Sequence, residues 1–129
     1  MPNAPLARGF LARALLAQNA TREAIEVCER GASTGNVEIL TTLGVAYLQA
    51  GERTRAEAVR KQLMTRQPVP SNALAKWYAA AGDHSAAFEM LDRSVAERVD
   101  IPSFKVDPFW DPLRKDVRFT AMLKRIGLT

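Results

Sequence analysis

The chain has 129 residues, of which 47% are hydrophobic and 25% are charged, with a formal net charge of +4 at pH 7. This length is typical of one domain, and the composition excludes a disordered or collagen-like chain. Cys28 is the only cysteine, which excludes an intrachain disulfide and a cysteine-based zinc cluster.

The charge and the hydropathy argue against a membrane or nucleic-acid partner. The longest apolar stretches, such as residues 43–48, are far shorter than the roughly 20 residues that cross a bilayer, and no charged leader precedes an apolar signal core. Basic residues gather at 53–66 and 114–125, but Glu57 and Asp116 interrupt these stretches. Solvated helix faces explain them more simply than a nucleic-acid surface does. We therefore expect a cytoplasmic protein.

In chain order, the apolar periodicity predicts six helices, over residues 4–18, 21–33, 37–50, 53–66, 71–81 and 84–98. Beyond residue 100 the periodicity changes. Pro102, Pro108 and Pro112 predict a short bent segment, and Asp116 is placed to cap a last helix that runs through Lys124. The predicted fold class is all-α.

The helices repeat in pairs with a spacing of about 31 to 32 residues. The three copies superimpose in five columns: Ala24, Ala56 and Ala87; Leu11, Leu43 and Leu74; Ala12, Gly44 and Ala75; Leu15, Tyr47 and Tyr78; Asn19, Gly51 and Gly82. In the middle copy Leu43 and Tyr47 lie one turn apart and face inward, while Gly44 lets the second helix approach closely. Gly51 and Gly82 suit a left-handed turn between paired helices.

The middle copy resembles the tetratricopeptide repeat. The resemblance is carried by Leu40, where the family often has tryptophan, and by Leu43-Gly44, Tyr47, Ala56 and Pro68. The first and third copies are more degenerate. The resemblance implies a right-handed α-solenoid of about three helix pairs over residues 1–99, with a capping segment and helix over 100–129. The implied pairs cover approximately residues 4–35, 36–68 and 69–99.

The C-terminal segment resembles the closing segment of tetratricopeptide proteins found in bacterial regulators. The resemblance is carried by the string from Phe104 to Arg114, FKVDPFWDPLR, and then by Asp116, Arg118, Phe119, Leu123 and Gly127-Leu128. In many of these proteins the repeats follow a kinase, cyclase or winged-helix output domain. The resemblance thus implies the sensory or interaction part of such a regulator. Its aromatic residues are expected to cover the open end of the helix stack.

The chemically reactive residues do not converge on a catalytic set. His84 is the only histidine and stands at the start of the sixth helix beside Asp83, a plausible N-cap, so we expect it to be solvated. Cys28 falls on a core-facing position, which favours packing over a reactive thiol. The acidic residues of the tail lack the spacing of a calcium loop. We expect no enzymatic activity, no metal and no cofactor.

The repeat predicts that the binding surface is the concave face, which is built from the first helix of each pair. Seven residues are predicted to point into it: Arg13, Glu38, Thr41, Val45, Leu48, Asn72 and Lys76. Val45 and Leu48 would give an apolar stripe, and the polar members would give specificity. Some family members clamp a terminal carboxylate there, but only Asn72 and Lys76 fit that pattern. The predicted partner is a protein or peptide.

A structural homodimer is the alternative. The first helix has no preceding repeat to cover Leu6, Phe10 and Leu15, so these side chains could meet their copies in a second chain.

Overall fold

The computed structural model describes residues 5–32, 35–97 and 108–127. Within them the protein is all-α, with seven α-helices and one 3-10 helix. The elements are α1 Pro5–Ala17, α2 Thr21–Gly31, α3 Val37–Gln49, α4 Arg53–Met64, α5 Ser71–Ala81, α6 His84–Ala96, the 3-10 helix Pro108–Leu113 and α7 Val117–Arg125. The predicted fold class and the existence of each predicted helix are confirmed.

Three of the predicted helices are too long. The helices α2, α4 and α6 each end two residues earlier than the periodicity predicts. At the end of α4 the hydroxyl of Thr65 donates to the carbonyl of Gln62 at 2.7 Å. Such a local bond competes with the helical pattern and favours a turn.

The helices pack in sequence order, and α1 with α3, and α3 with α5, also lie side by side. The layer α1–α3–α5 presents one surface, which we call the odd-helix face. No helix of the described ranges is long and apolar enough to span a membrane.

Three turns share one backbone geometry at the repeat spacing. Asn19, Gly51 and Gly82 have φ of 61°, 77° and 83°, a conformation that glycine, and next asparagine, adopts most readily. In each turn a backbone N–H donates to the carbonyl five residues earlier. These bonds join Ala20 to Leu15 at 2.8 Å, Glu52 to Tyr47 at 2.8 Å and Asp83 to Tyr78 at 3.0 Å. The repeat in sequence is therefore also a repeat in structure.

The core follows the repeat columns, with one departure. Leu43 and Leu74 are buried, but Leu11 is 51% exposed. The helix α1 contacts an odd helix on one side only, because α3 is its sole neighbour in the odd-helix layer among the described elements. The side chain that would face a preceding pair thus meets solvent.

Trp77 fixes α5 against both α3 and α4. Its ring is buried, and its Nε1 donates to the carbonyl of Ala56 at 3.0 Å. A Cβ placed on Gly44 would lie 2.8 Å from Trp77 Cδ1 and 3.2 Å from Val59 Cγ1. The predicted close approach at Gly44 is confirmed, although the tightest neighbour belongs to the next helix pair rather than to α4.

The closing segment packs on the last helix pair, as its aromatic residues predict. A second core cluster joins α5 and α6 to the 3-10 helix and α7 through Ala75, Ala79, Ala87, Phe88, Leu91, Trp110, Leu113, Phe119 and Met122. Trp110 is completely buried. The 3-10 helix thereby lies against α5.

His84 is partly solvated, with 36% of its side chain exposed, but it also has a partner that the sequence does not predict. Its Nδ1 lies 3.1 Å from Oδ2 of Asp116, which joins the start of α6 to the start of α7. Asp116 caps α7 by accepting the backbone N–H of Arg118 at 2.9 Å. Hydrogen bonds from the Arg118 side chain, then from its backbone, and a weaker one from His84 hold the pKa of Asp116 well below its usual range.

The substitution Gly44→Ala tests the contact with Trp77. Alanine favours a helix by about 1 kcal/mol over glycine, but overpacking costs about 1–3 kcal/mol, and the indole cannot retreat without breaking its bond to Ala56. We expect a net loss of about 1–2 kcal/mol in urea unfolding. Gly9→Ala in α1 is the matched control, since a Cβ there meets nothing within 4 Å. It should stabilise by about 0.5–1 kcal/mol. Equal shifts for both variants would contradict the contact.

The lowered pKa of Asp116, caused first by the bonds from Arg118 and to a smaller extent by the bond from His84, predicts an acid-sensitive contribution to stability. Because the pKa of Asp116 is lowered on folding, its contribution is present above the ordinary aspartate pKa of about 4 and is lost as pH falls below it. Asp116→Asn keeps a cap acceptor but cannot titrate. The wild type should melt above this variant at pH 5.5, and the gap should shrink by pH 2.5. A constant gap would rule out the linkage.

Candidate binding surface on the odd-helix face

A cavity of about 640 Å³ opens between the first turns of α3 and α5 and the loop that precedes α5. We call it the α3–α5 cavity. Its polar lining comes from Glu38 and Thr41 of α3 and from Ser71, Asn72 and Lys76 of α5. Val37, Val69 and Pro70 supply apolar wall.

Local sequence explains why these groups meet here. Asn36 caps α3 by accepting the N–H of Ile39 at 3.1 Å, which fixes where the first turn of α3 begins. The hydroxyl of Thr41 donates to the Val37 carbonyl at 2.7 Å. Pro70 ends the loop and α5 starts directly after it, with no side-chain cap on its first turn.

The cavity contains polar atoms without a partner. Ser71 is only 2% exposed, yet its hydroxyl has no hydrogen-bond partner, and neither has the buried Nδ2 of Asn72. A buried polar group that lacks a partner typically costs about 1–3 kcal/mol. Both groups can donate, but neither atom exposes appreciable surface to solvent.

The charges of the cavity are mixed. Lys76 is 4% exposed, and its amine contributes positive charge on the inner side. Glu38 and Glu97 are exposed on the outer side. Residues of both charge signs therefore line the cavity.

The middle of the odd-helix face is occupied by the chain itself. The ring of Phe109 lies with its centroid 5.0 Å from the guanidinium carbon of Arg13 and 5.0 Å from the amine of Lys76. Phe109 packs against the core cluster that contains Val45, and Leu48 packs against the same cluster. Sequence reasoning assigned Phe109 only to the end of the stack and missed this position.

A smaller cavity of about 260 Å³ lies against α1 and the 3-10 helix. We call it the α1 cavity. Arg13 and Gln49 line it on the helix side, and Phe109 and Asp111 line it on the side of the closing segment. Phe109 thus contacts a lining residue of each cavity, Arg13 for one and Lys76 for the other.

The seven residues predicted for the concave face are distributed over these features. Four line the α3–α5 cavity: Glu38, Thr41, Asn72 and Lys76. Arg13 lines the α1 cavity. Val45 is 3% exposed and Leu48 is half-buried, so they do not form the open apolar stripe that the periodicity predicts. Val45 is a buried member of the core cluster of α1 to α5, and Leu48 and Phe109 both pack against that cluster.

The residues predicted for self-association do not behave alike. Phe10 is 63% exposed, as a contact surface requires. Leu15 is half-buried and packs against the core, because α1 turns this side toward its neighbours, and it is not open to a second chain. The side chain of Leu6 lies outside the described residues. Leu11, which the repeat placed in the core, is exposed beside Phe10.

The reactive side chains lie in unreactive surroundings. Cys28 is buried, and desolvation raises its pKa to about 12, so the thiol stays protonated at neutral pH. In residues 5–32, 35–97 and 108–127, no group of three or more histidine, cysteine and acidic side chains is arranged to hold a metal ion.

Comparison with protein-family models, with curated proteins and with solved structures found no match.

Proposed function

We propose that this chain is a protein- or peptide-binding module of the tetratricopeptide type, in which three helix pairs form a right-handed solenoid. It acts as a scaffold or adaptor, or as the sensory part of a bacterial regulator, and not as an enzyme. The observation that carries the proposal is the α3–α5 cavity, whose lining includes Ser71 and Asn72, two residues with unpaired polar atoms.

The size and lining of the cavity suit a short peptide segment. Small-ligand sites commonly measure about 300–1,000 Å³ and combine apolar walls with a few placed polar groups, and the cavity has about 640 Å³. An extended peptide alternates its side chains and offers backbone carbonyls as acceptors. A peptide carbonyl would accept from the amide of Asn72 once that side chain turns toward the cavity, while an apolar side chain contacts Val37 and Val69.

The carboxylates at the mouth favour a basic residue next to the bound segment. Glu38 and Glu97 are exposed, and an exposed ion pair contributes only about 0–1 kcal/mol. Their effect is then on orientation and association rate more than on affinity. We expect micromolar binding.

The test is selection of peptides from a displayed library against the intact chain, followed by titration of the selected peptides. Glu38→Trp places an indole at the mouth of the α3–α5 cavity and should weaken binding at least about tenfold. Asn72→Ala removes one donor and should weaken it about threefold to tenfold, the range of one hydrogen bond.

Glu89→Trp is the matched control, because it removes the same charge from an exposed position on α6 outside both cavities. It should bind like the wild type. Selected peptides that bind Glu38→Trp and Glu89→Trp equally, or a library that yields no binder, would overturn the proposal.

The alternative, a structural homodimer, is favoured by one observation. Phe10 and Leu11 are adjacent, large and more than half exposed on α1. Light scattering of the same samples at two concentrations separates the two functions, because a dimer that dissociates on dilution changes its mass and a monomeric adaptor does not.

A further inference from the structure

We propose that α1 carries a docking site for a short amphipathic helix of a partner protein, which packs on α1 as α2 packs on α3. The site is formed by Phe10, Leu11 and Ala14, which we call the α1 outer face. It is separate from the α3–α5 cavity, whose lining includes no residue of α1.

Three repeat columns that are buried in α3 and α5 are exposed in α1. Phe10, Leu11 and Ala14 are exposed. The helix α3 packs against α1 and α2, and α5 packs against α3 and α4, whereas α1 has no earlier helix pair among the described elements. The residues that hold the same columns in the later helices are all buried: Thr42, Leu43 and Ala46 in α3, and Ala73, Leu74 and Trp77 in α5.

The column of Ala14 faces the second helix of the preceding pair. Its member in α5 is Trp77, whose Nε1 donates to the carbonyl of Ala56 in α4 at 3.0 Å. Because Trp77 and Ala14 hold the same place in the repeat, a helix docked on the α1 outer face would lie against Ala14 as α4 lies against Trp77.

The next column gives the same direction and adds a difference. The hydroxyl of Tyr47 in α3 donates to Glu29 of α2 at 2.6 Å. In α5 the hydroxyl of Tyr78 accepts from Arg60 of α4 at 3.4 Å. The helix α1 has Leu15 in this column, and its side chain has no hydrogen-bonding group. The partner helix therefore needs an apolar residue where α2 and α4 supply a charged one.

The two covering helices indicate what kind of helix fits. The helices α2 and α4 have 11 and 12 residues, and neither contains an aromatic residue. Ala24 and Ala56 hold the same repeat column in them, and both are completely buried. A small side chain at the contact lets two helices approach closely. A second copy of α1 would bring Phe10 to the contact instead, so a helix of the α2 type fits the α1 outer face better than a second chain does.

The probe is a fluorescent peptide with the sequence of residues 20–32, in which Cys28→Ala prevents oxidation. Short helices are only marginally stable in water, so Arg22→Lys is introduced to form a lactam bridge with Glu26. Both positions are exposed in α2, and the bridge thus lies away from the packing side. Titrated into the intact chain, the probe should bind saturably with a Kd below about 1 mM.

Leu11→Gln in the chain should weaken binding of the probe at least about tenfold, because an apolar contact is lost from the centre of the interface. Met64→Gln is the matched control, since Met64 is also a large exposed side chain but lies on α4. It should bind like the wild type. In the probe, Ala24→Arg should abolish binding, and Glu29→Leu should strengthen it about threefold or more.

Both substituted positions of the chain are exposed, so the variants should fold, and circular dichroism and melting check this. Three results would overturn the inference: no saturable binding by the wild type, equal binding by Leu11→Gln, or a probe that is unaffected by Ala24→Arg. A dimer that light scattering detects in the wild type and not in Leu11→Gln would also overturn it, because a second chain would then occupy the face. Glu38→Trp should bind this probe like the wild type, so failure here is separate from failure of the α3–α5 cavity.

Discussion

The packing of Trp77 over Gly44 determines where the odd-helix face places its polar groups. The indole touches α3 at Gly44 and donates to the carbonyl of Ala56 in α4, so one side chain fixes α5 against both helices. Lys76 precedes it in the same helical turn and consequently faces the 3-10 helix. The start of α5, with Ser71 and Asn72, is brought beside the start of α3 by the same contact.

Much of this architecture follows from local rules, and those parts could be predicted. The turns at Asn19, Gly51 and Gly82 have a left-handed backbone. Glycine and, next, asparagine adopt this conformation most readily, so these residue types predict the turns. The small residue at Gly44 marks a close helix contact for a similar reason. The Asp83 and Asp116 caps are local hydrogen bonds to a first helical turn. They can be predicted because aspartate is a preferred N-cap residue.

The parts that could not be predicted depend on contacts between distant segments. Helical periodicity predicts that Val45 and Lys76 point into an open groove, but both side chains are buried, and periodicity carries no information on which other segments cover a helix face. Phe109 reaches Arg13 from almost the other end of the chain. It comes from a segment without the repeat, so no spacing points to its neighbours. The bond of His84 to Asp116 escaped prediction for the same reason.

The odd-helix face contains two kinds of polar group. Some lack a partner and lower the stability of the fold, and others have an aromatic partner within the chain. Unpaired buried donors at Ser71 and Asn72 destabilise the folded chain, and such groups are uncommon in folded proteins. The ring of Phe109 lies a short distance away, and it gives the cations of Arg13 and Lys76 an aromatic partner within the chain.

The central claim is that the ring of Phe109 lies between Arg13 and Lys76 in solution. Nuclear Overhauser spectroscopy of the intact chain, with Phe109 assigned, measures this directly. We predict cross-peaks from the Phe109 ring protons to the side-chain methylenes of both Arg13 and Lys76, with those methylenes shifted upfield by the ring current. Ring protons at random-coil shifts, without cross-peaks to either α1 or α5, would contradict the account.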